Sequence, residues 1–412
     1  MADERLVVTV GRPWSRGAAL RDPAEAHRAA TPLELFFDLC FVVAVAQLTV
    51  RLEHAYATHH VGSGIISFLM LMFAIWWAWM NFTWFATAHD SDDVPYRLLT
   101  LLQMAGVLIL ASGVEAAFDE ETYRIVVVGY MVMRIGLVAQ WLRVARSQPS
   151  IRVRAHRYAL GIGLVQVGWL ALVVPDSITA FKIAFLPLIL CEVLVPIWAE
   201  RAGAGVLWHA EHIAERYGLF ALIILGESIL AATVAVKDAT DGGVSAAIIT
   251  VAAGGLVIAF ACWWLYFDTL GGDGPEDQVR AFTWGYGHYV VFGALAAVGG
   301  GLATAAAAVA DHGDHPIPER TASLAVAVPL ALFLIAVAAI ALRAKDNCGP
   351  RRLRDWTIAA AVIVVAGLFL PPAGATAAAG VVAGVLVTVE TVAAHRRYRA
   401  AGSVGDEAGA AR

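Results

Sequence analysis

Titratable side chains recur along one largely apolar stretch in the second half of the chain. At about 100° per residue, a helix would bring His209, His212, Glu215, Arg216 and Glu227 within about a third of its circumference. If this helix enters a bilayer at His212, Glu227 lies near the midplane, where a carboxylate is costly and marks a functional site by default. We expect Glu227 to take up a proton or cation. The alternative is a neutral or hydrogen-bonded Glu227 that only joins two helices.

A second acidic pair begins the first apolar stretch. Residues 31–34, Thr-Pro-Leu-Glu, form a capping box with proline at the first helical position. The cap explains Glu34, but it does not require Asp38, which lies one turn further along on the same face. We expect Asp38 to face the bundle interior, opposite His212 or Arg216.

The pair His212 and Glu215 has the i, i+3 spacing that places two side chains on one helix face. Such a pair can ligate a metal in a helical bundle, but a second pair of this kind is missing, so no metal or cofactor site is predicted. His212 could instead cap the helix, and Glu215 could pair with Arg97 or Arg216. A histidine titrates near neutral pH, so a proton-linked role is also open.

Three further ionisable residues lie well inside apolar segments. A lone arginine in hydrocarbon needs a partner, so we expect Arg134 and Glu192 to pair and to fix helix packing. His288 is expected to be a packed, hydrogen-bonded histidine rather than a proton relay.

Composition indicates a polytopic membrane protein. Hydrophobic residues make up 59% of the chain and charged residues 15%, with a mean hydropathy of +0.70. Soluble domains carry about 25% charged residues. No basic stretch with interleaved aromatic residues indicates nucleic-acid binding, so membrane lipid is the expected surrounding partner.

The apolar segments predict an all-α protein with about 12 transmembrane helices, each near the length that crosses a bilayer. The predicted segments are 32–50, 64–88, 96–115, 122–143, 157–175, 180–199, 207–236, 243–268, 277–303, 320–342, 355–371 and 374–394.

The charges between these segments predict their orientation. Arginine and lysine collect before the first segment, after the fourth and tenth, and in the tail, whereas the opposite loops are mainly acidic. Cytoplasmic loops of membrane proteins carry this excess of basic residues. Both termini are therefore expected in the cytoplasm.

An internal repeat fits the same topology. The sequence IWWAWMN at 75–81 resembles CWWLYFD at 262–268, and each precedes an acidic loop. We expect two six-helix repeats, 31–204 and 205–395, between a cytoplasmic N-terminal segment, 1–30, and a tail, 396–412. An even number of spans per repeat makes the repeats parallel. The two tryptophan pairs could also be interfacial aromatic belts.

The acidic loop after the second segment, Asp92-Asp93-Val94-Pro95, could bind a cation. Helix capping is the preferred interpretation, because carboxylates at a helix start interact favourably with the helix dipole. Glycine runs such as 299–301 are expected to allow close helix packing.

Three long motifs carry a family resemblance. They are TPLELFFDLCFVVAVAQLT at 31–49, DDVPYRLL at 92–99 and EHIAERYGLFALIILGESIL at 211–230. These motifs resemble the bacterial low temperature requirement protein A family, over about residues 27–395. The resemblance implies a bacterial cytoplasmic membrane protein linked to growth in the cold, without an established substrate.

The first segment is also similar to the first helix of the FSD-motif potassium channels of endosomes and lysosomes, with Phe37-Asp38 where those have Ser-Asp. From the acidic residues within apolar segments we expect a cation- or proton-linked transporter or channel, with a homo-oligomer possible. The expected pathway residues are Asp38, His212, Glu215, Arg216 and Glu227. The alternatives are an intramembrane enzyme acting on lipid, or a non-catalytic stress protein whose buried charges are all paired.

Overall fold

The computed structural model describes residues 14, 28–173, 177–203, 208–240, 243, 245–272, 274–275, 277–310, 317–344 and 349–410. The predicted N-terminal segment therefore lies almost wholly outside the described residues. In the described part every regular element is helical. The helices are α1 Pro32–Ala57, α2 Val61–His89, α3 Val94–Ser112, α4 Val114–Asp119, α5 Arg124–Ser147, α6 Arg152–Val173, α7 Ile178–Glu200, α8 Ala210–Thr240, α9 Ala246–Leu270, α10 Gln278–Ala310, α11 Glu319–Ala344, α12 Gly349–Phe369 and α13 Pro372–Ala410.

Each of the twelve predicted segments overlaps one long helix. The remaining helix, α4, was not predicted. It has six residues and follows Gly113, which caps the end of α3. A short 3₁₀ turn, Pro149–Ile151, joins α5 to α6. The sequence pattern therefore predicted the existence of the long helices correctly, and α1 and α13 extend several residues beyond the predicted ends.

Nine helices of the described chain are long and apolar enough to cross a membrane. They are α1, α2, α3, α5, α7, α9, α10, α11 and α13. The chain is thus an all-α, multi-pass membrane protein. Whether α6, α8 and α12 also cross the bilayer stays a prediction.

Packing divides the chain into two compact units. Unit 1 comprises Met1–Phe41, Ala78–Gly113 and Glu121–His209, and unit 2 comprises Val42–Trp77, Val114–Glu120 and Ala210–Arg412. In unit 1, α5 packs against α3 and α6, and α6 packs against α7. In unit 2, α10 packs against α8 and α11, while α9 packs against α13.

The start of α3 is capped as predicted. Asp93 is buried, and its Oδ1 accepts a hydrogen bond from the Tyr96 backbone N–H at 2.9 Å. Arg143 of α5 also contacts this carboxylate, with Nη2 2.6 Å from Oδ2. The aspartate therefore starts one helix and joins it to another.

Glycines allow close helix crossings in both units. A Cβ placed on Gly129 of α5 would lie 2.3 Å from the Leu110 backbone nitrogen of α3. A Cβ on Gly301 of α10 would lie 2.1 Å from the Ala325 carbonyl oxygen of α11. The predicted close packing at the 299–301 run is confirmed, because only a residue without a side chain fits there.

We expect Gly129→Ala to destabilise the protein by about 1–3 kcal/mol, because the methyl group would meet backbone that cannot move aside. The matched control is Gly163→Ala in α6, where a Cβ would meet no atom within 4 Å. That control should be neutral or stabilising by up to about 1 kcal/mol, since alanine has the higher helix propensity. Thermal unfolding of the purified variants measures both changes, and equal melting temperatures would contradict the tight crossing.

Candidate functional site

The start of α1 forms the predicted capping box. The Thr31 backbone N–H donates to Glu34 Oε2 at 2.8 Å, and the Glu34 backbone N–H donates to Thr31 Oγ1 at 3.3 Å. Glu34 is completely buried, and its Oε1 lies 3.8 Å from Nη2 of the buried Arg28. Arg28 also donates to the carbonyl oxygens of Ala86 and Thr87 near the end of α2. Through Arg28, the capping residue Glu34 thus also connects the start of α1 to the end of α2.

Sequence reasoning assigned no site role to Arg28, because it falls in the polar segment before the first helix. The available signal was its position three residues before Thr31. A buried acid at a helix start favours a nearby cation, and Arg28 is the nearest one before it in the chain.

Asp38 is buried one turn further along α1, as predicted. It is fully inaccessible, and its Oδ1 accepts a 2.7 Å hydrogen bond from Trp79 Nε1 of α2. The neighbouring Phe37 and Phe82 rings lie 4.0 Å apart between their centroids. Asp38 therefore presents a carboxylate in an aromatic environment, held by a hydrogen bond that the sequence pattern did not reveal.

The polar side chains at the start of α8 lie partly in the interior and partly at the surface. His212 and Arg216 are fully buried, whereas Glu215 is exposed. The buried face of α8 includes Ile213, Tyr217 and other apolar residues, and Glu215 lies about 60° further from this face than His212 does. The i, i+3 spacing therefore does not bring His212 and Glu215 to one buried surface.

Glu227 lies in the apolar part of the same continuous helix. Its side chain is half-buried, between the buried Ile224 and the largely exposed Leu230. Within the described part of the chain its carboxylate makes no hydrogen bond or ion pair. On the adjacent side of α8, a Cβ on Gly226 would meet no atom within 4 Å. Glu227 is thus a carboxylate at an edge that protein atoms leave open.

The predicted approach of Asp38 to His212 or Arg216 stays a prediction. Asp38 belongs to unit 1, and the two basic residues belong to unit 2.

The predicted pair of Arg134 and Glu192 is confirmed within unit 1. Arg134 Nη2 of α5 lies 3.5 Å from Glu192 Oε2 of α7, and both side chains are 1% exposed. Tyr130 Oη, at 2.9 Å, and Gln166 Nε2, at 3.0 Å, donate to Glu192 Oε1. The Tyr130 hydroxyl also accepts a hydrogen bond from Arg134. One carboxylate therefore joins α5, α6 and α7.

His288 in α10 is the packed histidine that the sequence predicted. Its Nδ1 lies 2.7 Å from the Trp284 carbonyl oxygen, and its Nε2 lies 3.1 Å from Tyr266 Oη. A carbonyl oxygen only accepts, so Nδ1 carries the proton and Nε2 accepts from the tyrosine. The rings of Tyr217 and Phe292 also contact this imidazole. His288 therefore has a structural role in unit 2.

We expect Glu192→Leu to destabilise the protein by about 3–5 kcal/mol, because it leaves the Arg134 guanidinium buried without its counter-ion. Combining it with Arg134→Met should restore much of the loss, since neither charge then remains. Thermal or denaturant unfolding of the single and double variants measures this coupling.

The control for that cycle is Glu121→Gln. Glu121 pairs with Lys182 at 2.7 Å, and both side chains are more than one-third exposed. An exposed ion pair contributes about 0–1 kcal/mol, so this variant should unfold almost as the unmodified protein does. A Glu192→Leu variant no less stable than this control would refute the structural role of the buried pair.

The sequence of the chain is similar to those of known bacterial proteins. The chain is 25% identical over 324 residues to an uncharacterized protein of Rhizobium meliloti (strain 1021), covering 72% of this chain and 75% of that protein. The family described as bacterial low temperature requirement A protein (LtrA) matches residues 29–392. This match covers α1 to α12 and most of α13, and includes every buried charge described above except Arg28. The chain therefore belongs to the bacterial low temperature requirement A family.

Proposed function

We propose that this protein is a transporter or channel of the bacterial cytoplasmic membrane that moves a proton or a small cation. Glu227 carries the proposal. A half-buried carboxylate on an apolar helix, without a hydrogen bond from the described residues, is stable only if water, an ion or a bound proton compensates it. Glu227 is the proposed group that exchanges the proton or cation.

The remaining pathway residues have different proposed roles. We propose Asp38 of α1, and His212 and Arg216 of α8, as pathway residues because each is ionisable and buried. Glu215 is exposed and is proposed as an entrance residue rather than an interior one. Glu34, Arg134, Glu192 and His288 have hydrogen-bond or ion-pair partners, which supports structural roles for them.

The proposed architecture contains an internal repeat. We propose twelve spans in two parallel six-helix repeats, 31–204 and 205–395, with both termini in the cytoplasm. Six long helices fall in each half, and α1 then corresponds to α8. The halves differ locally, because the tryptophan pair of the first motif, Trp76 and Trp77, is buried, whereas Trp263 and Trp264 are more than 40% exposed.

The two alternative functions receive less support. A purely structural protein would pair every buried charge, as at Arg134 and Glu192, but it would not place Glu227 at an open edge. A lipid-acting enzyme would need a lipid-sized side opening next to His212. A groove of about 410 Å³ in unit 2 is lined by neither His212 nor Glu215.

We expect Glu227→Gln to lower ion flux about tenfold or more, which corresponds to a barrier about 1.4 kcal/mol higher. The assay reconstitutes the full chain in liposomes and records internal pH, and K⁺ or Na⁺ flux, under an imposed gradient. The matched control is Glu319→Gln, an exposed acid in the first turn of α11. Unchanged flux in Glu227→Gln would remove this residue from the mechanism. No flux of protons, K⁺ or Na⁺ through the unmodified protein would overturn the transport proposal.

A second pair of variants separates the charge of Asp38 from its hydrogen bond. Asp38→Asn keeps an oxygen that can accept from Trp79 but removes the charge, and we expect it to lower flux. Trp79→Phe keeps the carboxylate and an aromatic ring but removes the donor at 2.7 Å, so its effect on flux should be smaller. The reverse order of effects in the liposome assay would show that Asp38 acts through packing.

A further inference from the structure

A groove opens sideways in unit 2 between the last turns of α1, the first half of α2, and α10 and α11. It has a volume of about 410 Å³, and its lining includes Tyr56, Ile65, Tyr289, Gly293, Val328 and Leu332. We call it the side groove. Its volume falls within the range of small-molecule sites, about 300–1,000 Å³.

None of the described residues that line the side groove is charged. Tyr289 is one of its few polar residues, and its hydroxyl already donates to the Leu69 carbonyl oxygen at 2.9 Å. The ring of Tyr289 therefore contributes apolar surface to the groove. An occupant must be uncharged along its length, since a charge here would have no partner in the lining.

The rim of the side groove faces outward from the protein. Leu69 and Leu332 are 49% and 48% exposed, and Ile65 and Val328 are similarly accessible. They lie on α2 and α11, two helices that are apolar and long enough to cross a membrane. The groove therefore opens toward bilayer hydrocarbon, which is chemically similar to its lining.

The length of the side groove matches one leaflet. Its lining on α11 runs from Thr321 to Leu332, and on α2 from Val61 to Met72. At about 1.5 Å per residue, each run covers about 16 Å, roughly half of the 30 Å hydrocarbon core. Both runs begin at the first turns of their helices, the ends expected at the membrane interface, and they end near the middle of each helix.

We propose that the side groove binds one acyl chain of a membrane glycerophospholipid, with the headgroup beside the connection between α1 and α2 and the methyl end near Tyr289 and Leu332. A helix from a second copy fits this groove less well, because a helix is about 10 Å wide and would run along the whole membrane thickness. This lipid-binding site is separate from Glu227, and the lipid proposal does not depend on the proposed ion transport.

The test places the full-length protein in nanodiscs of phosphatidylcholine that carries a photoreactive diazirine at a chosen acyl position. After illumination, labelled peptides are identified by mass spectrometry. A diazirine near the headgroup should label the surroundings of Val61 and Thr321, and one near the methyl end should label those of Tyr289 and Leu332. A label spread evenly over the exposed helix faces, or one that does not change with acyl position, would overturn the proposal.

A variant that fills the side groove provides a second test of the lipid proposal. A Cβ on Gly293 would meet only Met72 Cγ, at 3.6 Å, so Gly293→Leu should fold and project into the groove. Labelling of the groove should fall about tenfold, because the leucine takes the place of two or three methylene groups of the acyl chain. The matched control is Gly163→Leu, where a Cβ would meet no atom within 4 Å. Equal labelling in Gly293→Leu and in the control would refute an acyl chain in the side groove. A cross-link between two copies through groove residues would instead assign it to an oligomer.

Discussion

The structure depends on one constraint: hydrocarbon offers no hydrogen-bond partner, so a polar group placed there must find one within the protein. Three buried carboxylates of unit 1 show how the protein meets this constraint. Glu34, Asp38 and Glu192 each accept hydrogen bonds from groups in the same unit. Because partners of Asp38 and Glu192 come from other helices, satisfying the carboxylates also fixes how the helices pack. The buried charges of unit 1 are thus part of its architecture.

The network around Glu192 shows how such a site specifies packing. The carboxylate receives donors from α5 and α6 while belonging to α7. Within the described residues, Arg134 Nε and Nη1 and Gln166 Oε1 have no hydrogen-bond partner. These groups lie around the same ion pair, and ordered water is the ordinary way in which buried groups of this kind are satisfied.

Unit 2 uses its polar and apolar surfaces differently. Glu227 is a charge that the described packing leaves open, whereas the side groove is an apolar surface that the packing leaves open. We propose water or an ion as the partner of the first, and a lipid acyl chain as the occupant of the second. Family membership connects the chain with other bacterial membrane proteins, but the proposed transport rests on the chemistry of α8. The two open surfaces therefore give two separate experimental starting points for this protein.

The sequence by itself determined the helices, the capping box at Thr31 and the need of Arg134 for an acidic partner. These features are local, or follow from the cost of a lone charge, so hydropathy, short spacing and charge suffice to predict them. Only the tertiary structure decided that Trp79 holds Asp38, that Tyr130 and Gln166 join Glu192, and that Glu215 is exposed. Such partners are distant in sequence, and a rotation of about 60° about a helix axis moves a side chain from interior to surface. That rotation is set by how neighbouring helices pack, which no single helix encodes.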